Sequence, residues 1–142
     1  MPGARQTCLA PRAWIGLRTF SQTRPTARST SFTNNDKRKA DQVDKANPRA
    51  ENLFGHIIEL APNGGDHADE SFTWDILVRC GNPRDPRGGV DALWNPDTSD
   101  NGWFACPDNA CVDNEGRLWI ATDQGDNWAR TGRADGLYGL ET

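Results

Sequence analysis

Apolar residues along this chain come in short runs, none longer than a strand, and almost every run ends at glycine, proline, asparagine or aspartate. Leu53–Ala61 (LFGHIIELA) mixes β-branched and aromatic residues over a strand's length and stops at Pro62-Asn63-Gly64-Gly65-Asp66, a strong turn signal. Ser71–Arg79 (SFTWDILVR) then alternates, with Phe72, Trp74 and Ile76 on one face and Thr73 and Asp75 on the other. Strand, turn and strand predict an antiparallel hairpin. From Cys80 to Gly102 the pattern dissolves into Pro, Gly, Asp and Asn punctuated by Val90, Leu93 and Trp94, as expected of a long functional or disordered loop. Two short apolar pieces follow, Trp103-Phe104-Ala105 and Ala110-Cys111-Val112, with a turn between them at Pro107–Ala110. Asp113-Asn114-Glu115-Gly116 reads as a hairpin turn. Arg117–Thr122 reads as a strand with Leu118 and Ile120 on one face, and Asp135–Leu140 is the last candidate. Short strands about ten residues apart predict an all-β fold, and a hairpin recurring every forty-odd residues suggests propeller blades.

Composition narrows the function classes. The 142 residues include 14 Gly and 9 Pro, which excludes a long helical bundle. Apolar stretches such as Ile57-Ile58 and Ile76-Leu77-Val78 fall far short of the roughly 20 residues of a helical membrane span, so membrane insertion is not expected. The net charge of -4 is unevenly distributed: residues 1–35 carry five Arg and no acidic residue, and all 20 acidic residues lie from Asp36 onward. An acidic body is a poor partner for nucleic acid and a better one for hard cations. Residues 1–32 have no apolar h-region and so do not read as a signal peptide. They are expected to be irregular, and three origins are open: a transit peptide, a disordered tail, or a truncated or frameshifted start.

Candidate chemistry is sparse. The four cysteines, at 8, 80, 106 and 111, form no C-x-x-C pair and show no zinc spacing with His56 and His67. They are expected to pack as small hydrophobes. Pro107-Asp108-Asn109 places a carboxylate and an amide ahead of a strand, and Asp123 follows Arg117–Thr122. In a propeller such oxygens converging on the central channel make a hard-metal site. The plainer reading makes Asp108-Asn109 a turn, and Asp113 and Glu115 are read as turn residues only.

Six separated motifs then occur in order: Thr33-Asn34-Asn35, Ala46-Asn47-Pro48-Arg49, Phe54–Glu59, Phe72-Thr73-Trp74-Asp75, Phe104-x-Cys106-Pro107-Asp108-Asn109 and Gly132–Leu137. Together they resemble the C-terminal part of the PhoX-type alkaline phosphatases over roughly residues 33–142. The resemblance implies a partial β-propeller of about two blades. It also implies phosphate monoester hydrolysis with calcium and iron in the full-length family, and secretion or a periplasmic location for that family. It places a metal ligand on Asp108, with Asn109 as a weaker candidate that fixes the strand end. Asn34 and Asn35 are expected to serve turns, His56 to be a satisfied structural histidine, and Trp74, Trp103 and Trp119 to pack blades. No catalytic residue is assigned.

The departures bear on activity. The resemblance places an Arg-Pro-Glu motif before Thr-Asn-Asn, whereas Pro11–Gly16 offers no acidic residue, and Cys8 is not expected to serve as the upstream metal-binding Cys. The charge break at Asp36 coincides with the start of the resemblance near Thr33, which favours a truncated or frameshifted start for residues 1–32 over a transit peptide, and the chain is expected to be an inactive fragment that retains no high-affinity metal. The alternative is a non-catalytic cation-binding or remnant propeller protein.

Overall fold

The computed structural model describes residues 6–8, 20–23, 28–66, 68–85 and 91–140, with side chains from residue 36 onward. The architecture is all-β, in two antiparallel sheets. The first has the spatial order β1-β5-β4-β3-β2, from β1 (Gln6–Cys8), β2 (Phe20–Thr23), β3 (Arg28–Asn35), β4 (Asn52–Pro62) and β5 (Phe72–Arg79). The second is β6 (Pro107–Val112), β7 (Leu118–Thr122) and β8 (Leu137–Leu140), in that order.

The expected central hairpin is present. β4 and β5 pair from Pro62↔Phe72 to His56↔Arg79 around the Asn63–Gly65 turn, where Gly64 and Gly65 adopt positive φ. The register steps between Ile57 and Ile58, a bulge that interrupts the alternation read along Ser71–Arg79. Ile57 and Ile58 are both fully buried, so β4 is covered on both faces. Residues 1–32, expected to be irregular, contribute β1, β2 and most of β3 to the sheet. β3 pairs with β4 from Ser29↔Leu60 to Asn35↔Asn52. Its sequence, RSTSFTNN, has Phe32 as its single apolar residue, too faint a pattern to announce a strand that the neighbouring ladder supports.

Residues 103–106 stitch the two sheets together. The Cys106 amide donates to the Phe54 carbonyl (2.7 Å), and the Asp123 amide donates to the Cys106 carbonyl (3.0 Å). The Gly81 amide donates to Phe104 (3.0 Å). Around this seam lies the core: Ile57, Val78, Cys80, Phe104, Leu118 and Ile120, with Phe54, Trp94 and Tyr138 packed against it. Leu118 and Ile120 share the buried face of β7, as their spacing predicts.

The link from β7 to β8 contains a 3-10 turn (Gly125–Asn127) that runs into one α-helical turn, α1 (Trp128–Thr131), closed by Gly132 in the left-handed conformation. The buried Gln124 accepts from the Thr131 hydroxyl (2.5 Å). The Asp135 carboxylate accepts from both the Gln124 amide (2.8 Å) and the Thr122 hydroxyl (3.1 Å). These bonds bring the chain back to form β8.

Candidate functional site

Asp108 lies in β6, not in a turn. The expected turn at Pro107–Ala110 is replaced by a strand running from Pro107 to Val112. Pairing with β7 satisfies the backbone there, which local turn propensity cannot anticipate. The register steps at Asp108: Pro107 faces Thr122 and Asn109 faces Ala121. Strict alternation would give Asp108 the same face as Ala110 and Val112, which pack against the core. Asp108 is half-buried, as Ala110 and Val112 are, while Asn109 and Cys111 are exposed, so the alternation holds from Asp108 onward and the bulge interrupts it only against the buried Pro107. Asn109 is exposed and its amide nitrogen donates to Asp108 Oδ2 (2.5 Å).

The approach to Asp108 is strained and firmly held. Cys106 has φ of 51°, one of two described non-glycine residues at positive φ. Its amide, thiol and carbonyl are all engaged, the thiol donating to Leu53 O at 3.3 Å. Strain of this kind persists where the surroundings over-determine it. Pro107 then fixes the next φ.

His56 stands apart from this arrangement as a structural residue. The Gly55 amide donates to Asn52 Oδ1 (3.0 Å), which orients the Asn52 amide so that Nδ2 donates to His56 Nδ1 (2.8 Å). His56 Nε2 therefore carries the proton and donates to the Ala46 carbonyl (2.7 Å). Burial lowers its pKa to about 4, and the nearby Arg49 and Arg38 add to the effect.

Sequence reasoning missed the role of Arg49. Its side chain is nine-tenths buried, with Nε donating to Asp91 (2.8 Å) and Nη1 to the Cys80 carbonyl (2.6 Å). It ties the Ala46–Arg49 motif to the end of β5 and the loop beyond. A basic residue three positions ahead of a strongly apolar strand was the available signal.

The remaining candidates have structural duties. Asp113 Oδ1 accepts from the amides of Glu115 and Arg117, while Oδ2 accepts from Trp119 Nε1 and Arg117 Nε. The Trp119 and Arg117 bonds hold its carboxyl well below the usual range. Asp123 accepts from the Gly125 amide (3.1 Å). Trp103 is buried and Trp74 half-buried, consistent with packing roles. Cys80 and Cys106 are buried as expected, but Cys111 is exposed because it lies on the outward face of β6. Asn34 and Asn35 belong to β3 rather than to a turn. The Cys8 side chain and all of His67 lie outside the described residues.

Calcium takes about six to eight oxygen ligands. Asp108 and Asn109 supply few, and no cluster of three or more His, Cys, Asp or Glu suited to a metal occurs among the described residues. These residues do not by themselves fit a multi-metal centre.

The family description "Alkaline phosphatase PhoX" matches residues 22–139. The solved structure of Pseudomonas fluorescens PhoX in complex with vanadate, a transition state analogue, is 28% identical with a TM-score of 0.71. The similarity covers 85% of this chain and 22% of that one, so the chain spans about a fifth of that protein. No curated protein matches. The family match begins ahead of Thr33 and takes in Arg24-Pro25-Thr26. That tripeptide lies outside the described residues.

Proposed function

Since the chain belongs to the PhoX alkaline phosphatase family, we propose that it forms about two blades of a PhoX-type propeller, contributes Asp108 to a metal-dependent phosphomonoesterase site, and does not hydrolyse phosphate monoesters alone. The observation that carries this reading is the bulge at Asp108, which places a half-buried carboxylate immediately after a strained, three-bonded Cys106. Bulges commonly re-aim side chains beside active sites.

Phosphate hydrolysis at a metal centre needs ions that polarise the phosphoryl oxygens and orient the nucleophile. When bound, calcium and iron supply that chemistry in the full-length family. This chain's share is one carboxylate on a rigid strand, with Asn109 hydrogen-bonded to it. One carboxylate holds no cluster, and two blades leave sheet edges open.

Calcium titration by calorimetry tests the assignment. Wild type should bind at millimolar concentration or weaker, and Asp108→Asn should weaken that binding further. Micromolar affinity, or affinity unchanged in Asp108→Asn, would refute it.

A further inference from the structure

The segment between Arg79 and Trp103 is long for a connection without regular structure, and such loops are commonly functional. Its described residues are well tethered. Leu93 bridges back to Arg79, with mutual backbone bonds of 3.2 and 3.1 Å, and Trp94 Nε1 donates to Gly81 O (2.9 Å). Asn82 Oδ1 accepts from the Arg84 amide and Asn95 Oδ1 from the Asp97 amide, both at 2.9 Å. Inside these turns lies a cavity of about 230 Å³, lined by Trp94, Trp103, Asn82, Asn95, Thr98 and Ser99 among others. A second cavity, of about 240 Å³, shares Trp94, Thr98 and Ser99 and reaches Phe104 and Tyr138. Together they approach the few hundred Å³ typical of small-molecule sites.

We infer that the described residues Asn82–Arg84 and Ala92–Trp103 form a binding pocket for a neutral polyhydroxylated ring, a sugar or cyclic polyol. Three features select that chemistry. The indoles offer flat apolar walls, and their positions are fixed: Trp94 by its bond to Gly81 and its edge-on packing against Phe104 (4.9 Å), Trp103 by the Arg133 guanidinium stacked 4.8 Å from its ring centre. The two asparagine oxygens are committed to turns, which leaves their amide nitrogens, with the Thr98 and Ser99 hydroxyls, as partners for ligand oxygens. Among the described lining residues the charged groups are Arg84 and Asp100, and they pair with each other, so the described lining offers no net charge to a free anion. This inference is independent of the phosphatase reading.

Gly102 gives the means to test it. A Cβ there would stand 2.8 Å from Thr98 Cγ2 and 3.2 Å from Ser99 Oγ, so Gly102→Ala must displace the wall the two cavities share. Thr98→Val keeps the shape and removes one hydroxyl. Glucose is titrated into the intact chain while the indole N–H signals of Trp94 and Trp103 are followed by NMR. The expected result is a saturable shift at both indoles, at least fivefold weaker binding in each variant, and no shift with inorganic phosphate. Glucose 6-phosphate separates two sources of the ligand: equal affinity marks a free sugar, and tighter binding marks the sugar end of a phosphate ester. The inference is overturned if glucose gives no saturable shift, if Thr98→Val binds like wild type, or if inorganic phosphate produces the same shift. Thr98→Val decides the matter should Gly102→Ala fail to fold.

Discussion

Asn52 Nδ2 donates to His56 Nδ1 across 2.8 Å, and this bond, with the Ala46 carbonyl on the other ring nitrogen, commits His56 to a neutral buried state. Protonating Nδ1 would set two donors against each other in a buried site. The unfolded chain protonates this histidine near pH 6.5 and the folded chain only near pH 4. The unfolded state therefore binds the extra proton first, and stability rises with pH across that window. Stability should be intact above about pH 6.5 and fall by up to about 3 kcal/mol toward pH 4. NMR titration of the His56 ring checks this, with titration near 6.5 as the contrary result.

Asp113 joins a turn to the strand after it, accepting from two amides, an indole and a guanidinium. Its lowered pKa adds stability above the ordinary carboxylate range, lost as pH falls below about 4. Asp113→Ala should lower the melting temperature by several degrees. Glu115→Ala, which removes an exposed carboxylate paired with Arg117, should change it far less. Calorimetric melting of both variants decides the point.

Cys106 at positive φ makes backbone strain measurable. Cys106→Val puts a β-branched residue into the left-handed region and should cost about 2 kcal/mol or more in urea unfolding. Cys106→Gly relieves the strain while losing the thiol's bond, and should fall much closer to wild type. Equal costs for the two would show that the backbone conformation at Cys106 is not the source of the effect.

Thiol labelling separates the three described cysteines. Cys111 is exposed and should react first with a maleimide. Cys80 is fully buried, and burial pushes its thiol pKa up, so it should label only on unfolding, as should the buried Cys106. Mass spectrometry of the native chain at intermediate times reads the order.

How much of this was legible depends on where each signal originates. The β4–β5 hairpin and β7 announced themselves because apolar alternation and glycine-rich turns are local properties. β3 did not, since Arg28–Asn35 becomes a strand by pairing with β4 and not by its own pattern. Asp108 was singled out by resemblance, but the bulge at its position depends on the register of β6 against β7, which alternation alone does not encode. Arg49 was visible as part of a motif, while its clamp on Cys80 and Asp91 depends on contacts distant in sequence.

On the proposed function, this PhoX-family chain carries one part of a phosphatase site and does not turn over alone. Turnover of an aryl phosphate by the purified chain at alkaline pH, with calcium and iron supplied, tests it most directly. The expected result is no hydrolysis above the metal-only blank. Hydrolysis that a chelator abolishes and that Asp108→Ala removes would contradict it.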